Sequence, residues 1–207
     1  MIDLLCYLIS IIILREKNME SKNIYVKSIS ISGFKSFAEP VHIELSSGFN
    51  IILGAEGSGR HNLLSAFDWG TNAERDGQPV SEILFRGNEK HPAADFTEVE
   101  VLCVSDEKEI AYKCRMDKDG AFSYFIDGER KSKEEYESVK KFLPLIFSDI
   151  ITDGSDSCLN HIKNGSNEKQ TVLAATNAKL VASLKPGNLI GLIMEDGVSK
   201  AHVLRGE

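Results

Sequence analysis

Residues 54–64 read Gly-Ala-Glu-Gly-Ser-Gly-Arg-His-Asn-Leu-Leu, and their spacing is nearly that of a phosphate-binding loop. In the pattern G-x-x-x-x-G-K-[ST], the glycines let successive backbone N–H groups converge on an anion, and a helix N-terminus adds a favourable partial charge. Gly54 and Gly59 stand at the required positions, with Gly57 between them. The lysine, a compact charge for the β- and γ-phosphates, is replaced by Arg60, and the Mg²⁺-binding hydroxyl is replaced by His61. A guanidinium keeps the charge but is planar and fork-shaped, so phosphate would be held with altered geometry. An imidazole is a poor ligand for Mg²⁺, which prefers oxygen. The candidate anion-binding residues are therefore Gly54, Ala55, Glu56, Gly57, Ser58, Gly59, Arg60, His61 and Asn62.

The flanking sequence supplies the elements such a loop needs. "FNIIL" (49–53) is a short apolar run of the kind a buried strand shows. After the loop, Leu63, Leu64, Phe67 and Trp69 recur at near-helical spacing, with Gly70 expected to end the helix. Upstream, "IYVKSISIS" and "VHIEL" alternate apolar and polar residues about the turn "GFKSF", with an irregularity expected at Lys27–Ser28. Residues 71–95 read as loop around the short apolar "EILF". "FTEVEVLCV", "EIAYKCRM" and "AFSYFIDG" form an antiparallel meander with turns at "SDEK" and "DKDG". The mixed charges of "GERKSKEEYESVKK" suit a solvated helix face. "LIFSDII" and "TVLAAT" are further strands, "NAKLVASL" is a short helix candidate, and "NLIGLIME" with "AHVLRGE" makes a closing hairpin around "DGVSK".

Composition narrows the function classes. A net charge of −7 over 207 residues argues against a generally basic nucleic-acid binder. A local patch from Lys22, Lys27, Lys35, Arg86 and Lys90 stays open, although acids are interleaved among these positions. Cys6, Cys103, Cys114 and Cys158 are widely spaced with no C-x-x-C pair, which favours reduced thiols over a disulfide framework or zinc site. The five histidines show no metal-ligand spacing, "TDGSDS" lacks that of a calcium loop, and Asn164-Gly-Ser reads as a turn. The apolar run Leu4–Leu14 has 11 residues, too few to span a bilayer core of roughly 30 Å. Two readings of residues 1–18 stay open: an extension upstream of a natural start at Met19, or a hydrophobic segment packed on the body.

Three stretches together carry a family likeness. "YVKSISISGFKSFAEPVHIELSSGFNIILGAEGSGRHNLLSAFDW", then "SEILFRGNEKHPAADFTEVEV" with "GAFSYFIDGERKSKEEY", and finally "NLIGLIMEDGVSKAHVL" resemble the ATPase head of the structural maintenance of chromosomes (SMC) proteins. The resemblance implies an α/β fold of the P-loop NTPase type, with a mixed sheet carrying the loop and an antiparallel β subdomain beside it. It implies one head-like domain over 19–207, made of an N-terminal-lobe-like part (19–143) and a C-terminal-lobe-like part (144–207). ATP or ADP is the implied ligand, with Mg²⁺ in doubt from position 61. Chromosome-maintenance proteins or DNA are the implied partners, together with homodimerisation, a cytoplasmic location and no stable membrane span.

The departures from the family are equally specific. The long coiled coil and hinge that separate the lobes have no counterpart between them, and the glutamine loop and signature motif are missing. Aligned with the Walker B strand, "LIFSDII" places Ser148 at the metal-binding aspartate and Asp149 at the catalytic glutamate, which leaves Asp149 a weak catalytic candidate. The family's Thr-His pair becomes Thr176–Asn177. The expectation is a non-catalytic module that binds nucleotide or a partner in chromosome maintenance or segregation, the alternative being a weak ATPase. At Arg60 and His61, drift after lost activity is weighed against a new role.

Overall fold

The computed structural model describes residues 25–71, 79–105, 108–140, 145–149, 170–176 and 186–204. Residues 1–18, Lys22, the "TDGSDS" and Asn164 turns, "NAKLVASL" and Asn177 lie outside them.

Two sheets share the work. The antiparallel sheet contains β1 (Tyr25–Ser32), β2 (Val41–Glu44), β4 (Phe96–Ser105), β5 (Lys108–Asp117), β6 (Phe122–Ile126) and β7 (Glu129–Lys131), in the order β2-β1-β4-β5-β6-β7. The mixed sheet runs β11-β10-β3-β9-β8, with β3 (Phe49–Gly54), β8 (Leu145–Asp149), β9 (Gln170–Ala175), β10 (Asn188–Glu195) and β11 (Val198–Leu204). The pairs β10–β3, β3–β9 and β9–β8 are parallel, and only β11 is antiparallel to its neighbour. This is the P-loop head-type fold that the resemblance implies.

Local pattern explains most of these elements. In β1 the alternation slips between Val26 and Ser28, where Lys27 is the extra residue and its carbonyl accepts from Leu45 N–H at 2.8 Å. Helix α1 (Arg60–Thr71) buries Leu63, Ala66, Phe67 and Gly70, the i, i+3, i+4, i+7 stripe that an amphipathic helix turns to a core. Gly70 does not end the helix as expected. It lies within α1, where an added Cβ would sit 2.6 Å from a Val99 methyl, so its role is close approach to β4. Two further readings are corrected. The single-turn helix α2 (Val80–Ile83) overlaps the apolar "EILF" segment at Glu82 and Ile83, and Glu129–Lys131 pairs with β6 before helix α3 (Lys133–Lys140) begins. The β6–β7 pairing absorbs residues whose charges alone suggested continuous helix. The core joins Ile29, Ile31, Phe34 and Phe37 to Leu63, Phe67, Trp69, Val99, Val101 and Tyr136.

The seam between the sheets is polar. Gln170, at the start of β9, accepts from Val26 N–H at 2.7 Å and donates to Val26 O at 2.7 Å and Ser46 O at 2.8 Å. Asn50 on β3 accepts from Ser46 N–H at 2.8 Å and donates to Ser46 O at 3.0 Å. Asn188 on β10 donates to Glu44 O at 2.5 Å. Three carboxamides on three adjacent strands thus bind the backbone around β1 and β2. Gln170 is 4 % exposed, so replacing it by an apolar side chain of like length removes the partner of both Val26 backbone groups and one of the two donors to Ser46 O. The Gln170→Met chain is expected to lose about 2 to 4 kcal/mol of stability, read from urea unfolding monitored by Trp69 fluorescence.

Candidate functional site

The mixed sheet delivers its central strand, β3, into the glycine-rich loop. Ile51 and Ile52 are fully buried and fix the strand, which ends at Gly54. A Cβ on Gly54 would fall on Ser58 Oγ and 2.9 Å from Leu192 O, so no other residue fits there without a shift. Residues 55–59 then curl over. Ser58 N–H donates to Ala55 O at 3.2 Å, and Gly57 (φ 79°) and Gly59 (φ 96°) take the left-handed backbone that glycine allows. Leu63 N–H donates to Gly59 O at 2.9 Å, so the N–H groups of residues 60–62 precede the first full helical bond of α1.

Exposure divides the side chains of this loop. Ala55, Glu56, Gly57 and His61 face solvent, and Asn62 is half-buried. Arg60 is 6 % exposed and Ser58 3 %. The Ser58 hydroxyl lies across the loop against Gly54 and makes no hydrogen bond among the described residues. A buried, unsatisfied hydroxyl in a glycine-rich loop ahead of a helix is compatible with an anion nearby. Magnesium fits less well, because position 61 offers an exposed imidazole where the ion needs a hydroxyl oxygen.

Two residues given no role from sequence complete the loop. Ser199, fully buried on β11, donates to Ser58 O at 3.0 Å, and its hydroxyl lies 2.7 Å from Ser36 Oγ in the "GFKSF" turn. Asn62 Nδ2 donates to Ser36 Oγ at 2.8 Å. Ser199 N–H also donates to Ser36 O at 2.8 Å. The only sequence signal was the presence of both serines inside the quoted stretches "GFKSFA" and "GVSK"; nothing local ties residue 36 to residue 199.

The remaining candidates are arranged as follows. Asp149 ends β8 level with Ala174 of β9, which is level with Ile52 of β3. The backbone therefore brings Asp149 to the edge of the sheet from which the loop emerges, two strands away. The described residues of the proposed basic patch each have a partner: Lys27 pairs with Glu109, Lys90 with Asp196, Arg86 Nε donates to Ser81 O at 2.5 Å, and Lys35 Nζ donates to Ser65 Oγ at 2.9 Å. A cleft of about 570 Å³ adjoins the start of α1, lined by Lys35, Ser36, Asn62, Arg86, Gly87 and Gly197 among others.

A family model, the RecF/RecN/SMC N terminal domain, matches residues 25–145, which is more than half the chain and includes the loop. This chain belongs to that family. Among curated relatives, the Chromosome partition protein Smc of Pyrococcus furiosus is 31% identical over 123 residues, covering 54% of this chain and 10% of the relative. The chain thus matches about a tenth of the length of such relatives. The SMC head domain from Thermotoga maritima superimposes with a TM-score of 0.73 at 17% identity, over 88% of this chain and 100% of that one. The Smc head domain with an extended coiled coil from Pyrococcus furiosus, bound to the C-terminal domain of ScpA, gives 0.74 at 15% identity, over 88% and 96%. At these identities the superpositions speak for the fold.

Within this SMC-type head, the glycines separate by what surrounds them. Gly57 has no atom within 4 Å of an added Cβ, whereas a Cβ on Gly59 would fall on Ser199 Oγ. Gly57→Ala should therefore cost only the left-handed backbone term, about 1–2 kcal/mol. Gly59→Ala should cost more than about 3 kcal/mol, because it also displaces Ser199. Urea unfolding of the two variants beside the parent checks the order, and equal losses would contradict it.

Proposed function

We propose that this SMC-head-like chain binds a nucleotide polyphosphate through the backbone of residues 54–62 without hydrolysing it efficiently, and acts as a binding module in chromosome maintenance or segregation. The observation that carries this reading is the division within the loop. Its backbone geometry and buried Ser58 hydroxyl suit an anion, while Arg60 and His61 replace the side chains that catalysis and the metal require. Phosphates would take the N–H groups ahead of α1, and the adjoining cleft beside Lys35 and Arg86 would take the rest of an ATP or ADP molecule.

The head-like body spans 19–207 in this reading, its two lobes meeting around β3, and it works in the cytoplasm. The protein partner would dock on the β10–β11 hairpin, where Ile193, Met194, Val203 and Leu204 are exposed apolar residues. The Pyrococcus furiosus head bound to ScpA makes a ScpA-like C-terminal domain the first partner to test. A second copy of the chain and DNA are the other partners of this reading.

Asp149 supports a second reading, a weak ATPase, because β8 brings it to the edge of the sheet that carries the loop. An aspartate there could polarise a water, although it is one methylene shorter than the glutamate of the family. Calorimetric titration of ATP and ADP with and without Mg²⁺ separates the readings. Binding of both nucleotides with little dependence on Mg²⁺, and no turnover, is expected. Binding that requires Mg²⁺, together with turnover lost in Asp149→Asn, would favour the ATPase; no binding would leave a partner-binding scaffold.

A further inference from the structure

We propose that Ser199 is a positioning residue for the anion site: from the closing hairpin it sets the peptide plane between Ser58 and Gly59, and so aims the Gly59 N–H into the loop. The inference rests on the phosphate-binding reading above and names what controls that site. Its basis is a hydrogen-bond chain whose direction is fully determined. Asn62 Nδ2 can only donate, and it gives a proton to Ser36 Oγ at 2.8 Å. Ser58 O can only accept, and it takes the proton of Ser199 Oγ at 3.0 Å. The 2.7 Å contact between the two hydroxyls must then use the proton of Ser36, with Ser199 accepting. Each hydroxyl gives one bond and takes one, and bonds in such a chain polarise one another.

The consequence follows from the planarity of the peptide. The chain contains no cis peptide among its described residues, so the Ser58 carbonyl and the Gly59 N–H point in opposite directions from one rigid plane. Ser199 holds the oxygen from behind the loop, and the N–H is thereby directed to the other side. Gly59 at φ 96° is a residue with wide conformational freedom, so the plane beside it needs an external hold. The seat is tight as well as polar. Ser199 is fully buried, its own N–H is fixed to Ser36 O at 2.8 Å, and its side chain occupies the space a Cβ on Gly59 would need. The buried Ser58 hydroxyl, without a partner among the described residues, lies against Gly54 at the start of the same loop. Ser36 in one lobe and Ser199 in the other therefore set one feature of the loop between them, over sequence separations of 163 and 141 residues.

The test is a titration of the full ¹⁵N-labelled chain with inorganic pyrophosphate, followed at the Gly57 and Gly59 amides in the parent, Ser199→Ala and Ser36→Ala. In the parent, the Gly59 amide proton should move downfield as a charge-assisted bond forms. In Ser199→Ala, affinity should fall about tenfold, with the Gly59 shift largely lost and the Gly57 shift retained. A merely structural role would move both amides together or neither. Ser36→Ala keeps the Ser199 bond to Ser58 O and loses only its polarisation, so a smaller loss of about two- to threefold is expected; this variant carries the test if Ser199→Ala does not fold. Parent-like affinity with an unchanged Gly59 shift in Ser199→Ala, or in Ser36→Ala where it alone folds, overturns the proposal. A parent that does not respond to pyrophosphate overturns the phosphate-binding reading itself, and the role of Ser199 with it.

Discussion

The structure depends on a row of carboxamides. Gln170, Asn50 and Asn188 stand on adjacent strands at the entry end of the mixed sheet and satisfy backbone groups of Val26, Ser46 and Glu44. A buried carboxamide that misses its partners costs about 1–3 kcal/mol for each group left unpaired. Alternative registers between the sheets therefore forfeit several such bonds at once, which an apolar seam would not penalise so sharply. With the entry end pinned, β3 has one direction in which to run, and its loop emerges at the opposite end, beside the "GFKSF" turn and the β10–β11 hairpin. The loop inherits its neighbours from a seam a full strand length away.

That arrangement changes what the glycine spacing means. Gly54 backs onto Ser58 and Leu192, and Gly59 backs onto Ser199. Packing alone would preserve both, whether or not a phosphate ever enters. Gly57 differs: it has open space around it, and only its left-handed backbone calls for glycine. The two glycines that define the motif on paper are thus the two with an independent structural reason to be glycine, and Gly57 between them is the better witness to loop conformation.

Legibility from sequence followed the range of the interactions. The bulge at Lys27, the strand–loop–helix unit and the meander rest on period-two and helical patterns within a few residues, and each is found in the structure. Gly70 misled because a glycine near the end of an apolar stripe reads as a helix stop, when its packing reason is close approach to Val99, far along the chain on β4. Glu129–Lys131 misled because charge pattern was read without the partner strand that recruits it. The Gln170 and Asn188 bonds of the seam and the Ser36–Ser199 contact join residues more than 100 positions apart, and asparagine, glutamine and serine carry no local mark of burial. The loop itself was legible, but the hairpin residue holding its carbonyl was not.

Burial also separates the two substitutions that make this loop unusual. His61 is exposed. Arg60 is 6 % exposed. Burying a guanidinium costs several kcal/mol unless its surroundings compensate, and its bulk must be accommodated where a lysine chain would be slimmer. A fold does not acquire such a residue passively: the surroundings have to suit it. The two positions therefore differ: residue 60 must suit a buried seat, and residue 61 sits at the surface.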